Sequence, residues 1–160
     1  VAIHVTGDPQ LNLVARPLAP VRRKLCATPD YFRRKGIPQT PADLVAHNCL
    51  DYTRSGEPGR WRFTGPAGEI AVPVNGPLHV DDDEALSQAV LGGLGVGLLP
   101  TFIMGKDLQS GNLQAVLSEY IPVERYVYAM YLPTRHLPSK VRVFIDFMIS
   151  HIGEEPYWDR

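Results

Sequence analysis

The sequence carries almost no net charge: 16 Lys and Arg stand against 17 Asp and Glu, leaving −1 at neutral pH. A surface built to grip nucleic acid is normally basic, so this stretch is not read as a DNA-gripping module. No apolar run reaches membrane-spanning length and no signal-peptide pattern is present, which points to a cytoplasmic protein without a membrane partner. Cysteine is scarce. Cys26 and Cys49 are the whole complement, and neither belongs to a CxxC or Cys/His metal pattern. They read as two reduced, buried thiols, with a disulfide as the alternative. The histidines, His4, His47, His79, His136 and His151, never fall at metal-ligand spacing, so no metal site is expected. G-x-S-x-G and a locally supported Cys–His pair are both missing. Nothing assembles a nucleophile, base and oxyanion site, so the chain is not read as an enzyme, and no catalytic residue or cofactor is expected.

What is present is an ordinary globular composition, 44% hydrophobic and 21% charged over 160 residues, enough for one domain or two small lobes. The 15 prolines and 14 glycines are spread out and punctuate short elements. Val1–Thr6 reads as a strand ending at the turn Gly7-Asp8-Pro9. Leu11–Leu18 and Val21–Ala27 read as two extended segments broken by Pro17 and Pro20. Thr28 and Pro29 have the form of an N-cap and a first helical residue, and Gly36 stands where that helix should stop. Thr40-Pro41 repeats the device for a second short helix, with Asp43 at its positive end. Leu50–Thr53 reads as a strand, and Trp61–Thr64 with Ile70–Val74 as a hairpin.

A strand–helix–strand unit follows: Leu78–Val80, a helix Asp83–Leu91, and an apolar run Leu94–Pro100 read as a buried strand because two glycines would weaken a helix there. Asp81 and Glu84 have capping-box spacing, and Ala85, Leu86, Ala89, Val90 and Gly93 form the expected buried face. A helix Thr101–Leu108, a strand Asn112–Leu117, an aromatic strand Tyr126–Leu132 and a last helix from Ser139 to about Ile152 complete the chain. In that helix Val141, Phe144, Ile145, Met148 and Ile152 share the expected buried face. Strands and helices alternate throughout, so the fold class is α/β.

Few of these motifs carry chemistry. Asp81, Asp82 and Asp83 cannot all face one ion on a regular element and read better as a helix cap than as a metal site. Gly93–Gly97 lacks the Lys-Ser/Thr pair of a phosphate loop and precedes a strand, so its glycines read as close packing of helix on sheet or as a place where a ligand approaches backbone. Arg22–Lys24 and Arg33–Lys35 read as solvated basic faces. Trp61 and Phe63, on one face of a strand, read as core.

Taken in order, VAIHVTG, LVARPLAPVRRKLCATPDYFRRKGIPQTPADLVAHNCLDY, WRFTGPAGE, HVDDDEALSQAVLGGLGVGLLP and YLPTRHLPSKVRVFIDFM resemble the C-terminal effector-binding domain of LysR-type transcriptional regulators, from the first residue to about Ile152. The resemblance implies a fold like the type II periplasmic binding proteins, two subdomains joined by two crossing strands. Residues 1–25 and 128–152 would be a remnant of the first subdomain, 26–127 the second, and 153–160 a C-terminal tail. The crossings would fall near Leu25–Thr28 and Val127–Ala129. The first subdomain is expected to be incomplete, because VAIHV-like residues in this family follow roughly half of it. The implied function is effector sensing and oligomerisation in a bacterial regulator, with a small, often anionic or aromatic molecule held between the lobes. Its contacts would be His4, Val5 and Thr6 from the first lobe, and Thr53, Arg54, Ser55, Asp81, Asp82, Asp83, Gly95, Val96 and Gly97 from the second. Implied partners are the effector, further copies in a homodimer or homotetramer, and DNA through a helix-turn-helix domain absent from this chain. The alternative is a stand-alone solute-binding protein of the same fold class.

Overall fold

The two ends of the chain meet in one unit and its middle forms another: Val1–Arg22 with Val123–Arg160, and Arg23–Pro122. The computed structural model describes residues 1–9, 12–53, 57–121, 125–134, 136–153 and 155–159.

The first unit is a three-stranded antiparallel sheet in which β10 (Arg125–Tyr131) lies between β1 (Ala2–Thr6) and β2 (Val14–Val21). The break expected at Pro17 and Pro20 does not occur; β2 runs through both. Proline cannot donate to a ladder, but β2 is an edge strand, where outward N–H groups have no partner to lose. Pro17 lies opposite Tyr128 and Pro20 opposite Tyr126, and a register shift beside Val127 takes up the extra residue between them. Helix α4 (Ser139–Ile152) covers one face of the sheet, with Ile145 buried against Leu18 and Ala129, and Val141, Met148 and Ile149 packed around them. Phe144, expected on that face, stays 38% exposed. A sheet of three strands covers a narrow stripe of helix, and Phe144 lies at its margin.

The second unit holds a five-stranded sheet in the order β7 (His79–Val80), β4 (Cys49–Tyr52), β8 (Val96–Pro100), β3 (Arg23–Ala27), β9 (Gln114–Val116). Strands β7 and β8 both run parallel to β4, and β3 is antiparallel to β8 and β9. Helix α1 (Pro29–Lys35) and the hairpin β5 (Arg60–Gly65)–β6 (Gly68–Pro73) cover one face. There Leu25, Tyr31, Phe32, Cys49, Trp61, Phe63 and Val96 share a core, so the two hairpin aromatics are interior groups. Helices α2 (Asp83–Leu91) and α3 (Thr101–Ser110) cover the other face around Cys26, Leu50, Leu86, Val90, Leu99 and Met104.

Local chemistry sets these boundaries. Thr28 Oγ1 accepts the Tyr31 N–H at 3.2 Å, Pro29 opens α1, and the Gly36 N–H closes it on the Phe32 carbonyl at 2.8 Å. The second expected helix is a 3₁₀ turn, Pro41–Ala46. Asp43 Oδ2 accepts the N–H groups of Thr40 and Gln39, both at 2.9 Å, and six residues offer too few α-type bonds to favour the wider helix. The cap of α2 is Asp82, whose Oδ1 accepts the Ala85 N–H at 2.7 Å, one residue later than the expected Asp81–Glu84 pairing. The sheet holds the chain that far: the Thr53 N–H donates to the Val80 carbonyl at 2.8 Å. The buried stripe of α2 is Leu86, Ser87 and Val90, which leaves Ala85 on the flank and exposed. Strand β8 starts at Val96, and Leu94, expected inside it, is 45% exposed.

Candidate functional site

Parallel strands leave a row of chain ends on one edge of a sheet, and ligands of open α/β sheets bind outside the carboxyl ends of the strands. In the second unit that row belongs to β4, β7 and β8. Tyr52 lies opposite Val80, and Leu50 opposite Gly97. Continuing the second register brings Pro100 level with Thr53. The edge therefore carries Thr53, the turn Val80–Asp82, and the start of α3 at Thr101 and Phe102. Thr53 is fixed by two bonds to one carbonyl: its N–H and its Oγ1 donate to Val80 O at 2.8 and 3.2 Å. Asp81 is exposed and Asp82 is committed to capping α2. Thr101 is buried and Phe102 is 40% exposed. Strand β3 also enters here, because Arg23 pairs with Pro100.

Of the expected contacts, Thr53, Asp81 and Asp82 are brought to this edge, and Asp83 follows as the first residue of α2. Arg54 and Ser55 lie outside the described residues. Gly95, Val96 and Gly97 stand at the opposite end of the strands: Val96 pairs with Cys49, and its N–H donates to the Asn48 carbonyl at 2.8 Å. The space beside both glycines is filled by the chain itself. A Cβ on Gly95 would lie 2.2 Å from the Asn48 carbonyl oxygen, and one on Gly97 would lie 2.6 Å from Val90 Cγ2. The glycines serve packing there. His4, Val5 and Thr6 belong to the other unit, on β1, opposite Tyr128, Val127 and Tyr126. The Thr6 hydroxyl is turned onto Asp8, donating to its carbonyl at 3.0 Å and accepting its N–H at 3.1 Å.

Sequence reasoning passed over two features of this edge. The first is the Pro100–Phe102 corner, signalled by the parallel strand–helix–strand unit: ligands lie after such strands, not before them. The second is Asp51, the residue before Tyr52, which is 1% exposed. Its Oδ1 accepts the Trp61 indole N–H and its Oδ2 the Gly59 N–H, both at 2.9 Å. His79 Nδ1 stands 3.7 Å from the same Oδ2. Asp51 thus ties the far end of the loop that begins at Thr53 back to β4. A buried carboxylate with donors on both oxygens is the arrangement that makes such burial tolerable.

Among the described residues no group of three or more His, Cys, Asp or Glu is placed to hold a metal ion. Among the described residues no helix is long and apolar enough to cross a membrane. The model of the LysR substrate binding domain matches residues 1–153. The transcriptional regulator DmlR of Escherichia coli is 33% identical over 153 residues, covering 95% of this chain and 50% of that protein. LtrA of Klebsiella pneumoniae, a probable regulator, is 30% identical over 92% of this chain and 48% of its own length. The chain thus spans about half the length of these relatives. Among solved structures, the regulatory domain of CrgA from Neisseria meningitidis, a LysR-type regulator, superposes with a TM-score of 0.77 at 26% identity, over 96% of this chain and 76% of that one. Full-length AphB, a virulence activator of Vibrio cholerae, gives 0.78 at 30% identity over 92% of this chain and 50% of that one. A family model that runs along all but the last residues, with the same fold recurring in two regulators, settles the relationship: the chain belongs to the LysR substrate binding domain family.

Proposed function

We propose that this chain is the effector-sensing portion of a bacterial LysR-type transcriptional regulator working in the cytoplasm, and that it is not an enzyme. The observation that carries the reading is the family match over residues 1–153, to relatives named as helix-turn-helix regulators. DNA binding would belong to a helix-turn-helix part of the parent protein, and oligomerisation to contacts between copies. The effector would be met in the second unit by the carboxyl edge of its sheet, at Thr53, the Val80–Asp82 turn and the Thr101–Phe102 corner, with Arg54 and Ser55 as further contacts. His4, Val5 and Thr6 would supply the first unit's share, as the resemblance suggests.

Two features support that edge. Its groups are presented on rigid strand ends, and β3, where the chain enters the unit, reaches the sheet at the same edge. A ligand held there acts next to the crossing, where differential affinity for two arrangements can shift their populations. The Asp81 carboxylate disfavours an anion directly against the α2 start, so an acidic effector would place its charge toward Thr53 and Arg54. The test is Thr53→Trp in the full-length regulator with a reporter of its target promoter. Loss of the effector response with an unchanged melting temperature is expected. A wild-type response would refute the assignment of this edge.

A further inference from the structure

We infer that the turn Tyr157–Asp159 is a clasp on the crossing segment, holding the backbone at Arg22, where β2 gives way to β3. Arg22 is the single residue between β2 and β3, and the chain passes from one unit to the other directly after it. Its guanidinium Nη1 donates to Asp159 Oδ2 at 2.6 Å, across 137 positions of sequence. The Asp159 side chain is 10% exposed and that of Arg22 35%, so the pair is substantially shielded from solvent. The turn is built to present that carboxylate. Pro156 is fully buried, the Asp159 N–H donates to the Pro156 carbonyl at 2.9 Å, and Tyr157 packs edge-on against Trp158 at 4.9 Å.

The turn also lies beyond the residues that the family model matches, which end at 153. The turn nonetheless holds a fully buried proline and a carboxylate that is only 10% exposed. A flexible tail would bury neither. A charge-assisted hydrogen bond at Arg22 restrains one backbone position at the last residue before the chain enters the second unit.

The experiment is amide hydrogen exchange on the chain, comparing wild type with Asp159→Asn and with the charge swap Arg22→Asp/Asp159→Arg. In Asp159→Asn, segment Val21–Lys24 should exchange about tenfold faster, the factor expected from losing one charge-assisted hydrogen bond, while α4 keeps its protection. The charge swap should restore slow exchange. Three results would overturn the clasp: faster exchange confined to the tail, equal acceleration in α4 and β10, or no recovery in the swap.

Discussion

Replacing Gly95 with alanine should unfold the chain at lower denaturant rather than change its ligand response. The added Cβ would stand 2.2 Å from the Asn48 carbonyl oxygen, 3.1 Å from its carbon and 3.0 Å from Leu50 Cδ2. Carbon and oxygen normally approach no closer than about 3.3 Å, so the backbones must part by about 1 Å. That carbonyl accepts the Val96 N–H at 2.8 Å, and the Asn48 side chain donates to Leu94 O at 3.2 Å. The obstruction is thus main chain, held from both sides. Overpacking costs about 1–3 kcal/mol and a lost hydrogen bond about 1 more, which gives roughly 2–4 kcal/mol. Urea unfolding should show the midpoint falling by roughly 1–2 M at an unchanged slope. Gly97→Ala is the control, because its clash, 2.6 Å, is with the side-chain atom Val90 Cγ2 and its next neighbours stand at 3.7 and 3.8 Å. Adding Val90→Ala should rescue Gly97→Ala, with a coupling of about 1–3 kcal/mol, and should not rescue Gly95→Ala. A midpoint for Gly95→Ala within error of wild type would refute the close-approach reading.

Asp51→Ala leaves the Trp61 indole N–H and the Gly59 N–H without acceptors inside the unit and should cost about 2–5 kcal/mol in chemical denaturation, whereas Asp51→Asn, which keeps one acceptor, should cost less. Burial holds His47 below its ordinary value of 6.5, with Asp43 opposing and Lys35 adding to the effect. The unfolded chain therefore takes up the proton first, and stability should be complete above that value and decline as pH falls below it, by at most about 1.4 kcal/mol per pH unit. His47→Gln, which keeps an acceptor for the Tyr31 hydroxyl, should flatten that limb, and an unchanged pH profile would count against it. The thiols of Cys26 and Cys49 are pushed up to about 12, chiefly by burial, so Ellman's reagent at pH 8 should react on unfolding and not before.

The parts of the fold legible in the sequence are those decided within a few residues. Thr28, Pro29 and Gly36 start and stop α1 with bonds that never leave the segment. The long stripe of α4 and the β5–β6 hairpin were equally plain, because periodicity and alternation are local. What misled was information held by a partner strand. Prolines such as Pro17 and Pro20 would break a central strand and are harmless on an edge, and nothing near them says that β2 is paired on one side alone. The start of α2 moved from Asp81 to Asp82 because β4 keeps Val80 in the sheet, a demand set 27 positions away at Thr53. Phe144 and Leu94 are apolar and placed outside the core for the same reason: burial depends on what arrives opposite.

The candidate site shows that limit at its sharpest. Glycines in the run Gly93–Gly97 signal close approach correctly, but sequence does not say what approaches. Here it is the Asn48 carbonyl and Val90, at the end of the strands away from Thr53. Strand polarity supplies the missing direction. Once β4, β7 and β8 are known to be parallel, the proposed effector edge is the one after Tyr52, Val80 and Leu99; on that proposal substitutions in the Pro100–Phe102 corner should alter effector response, while those at Gly95–Gly97 should alter stability. Asp51 was invisible for a related reason. An aspartate inside a strand looks like a surface position until Gly59 and Trp61, eight and ten residues later, are seen to fold back and close over it. Thr53 is bonded to Val80 and Gly59 to Asp51, so the described residues on either side of 54–56 are both held to the sheet.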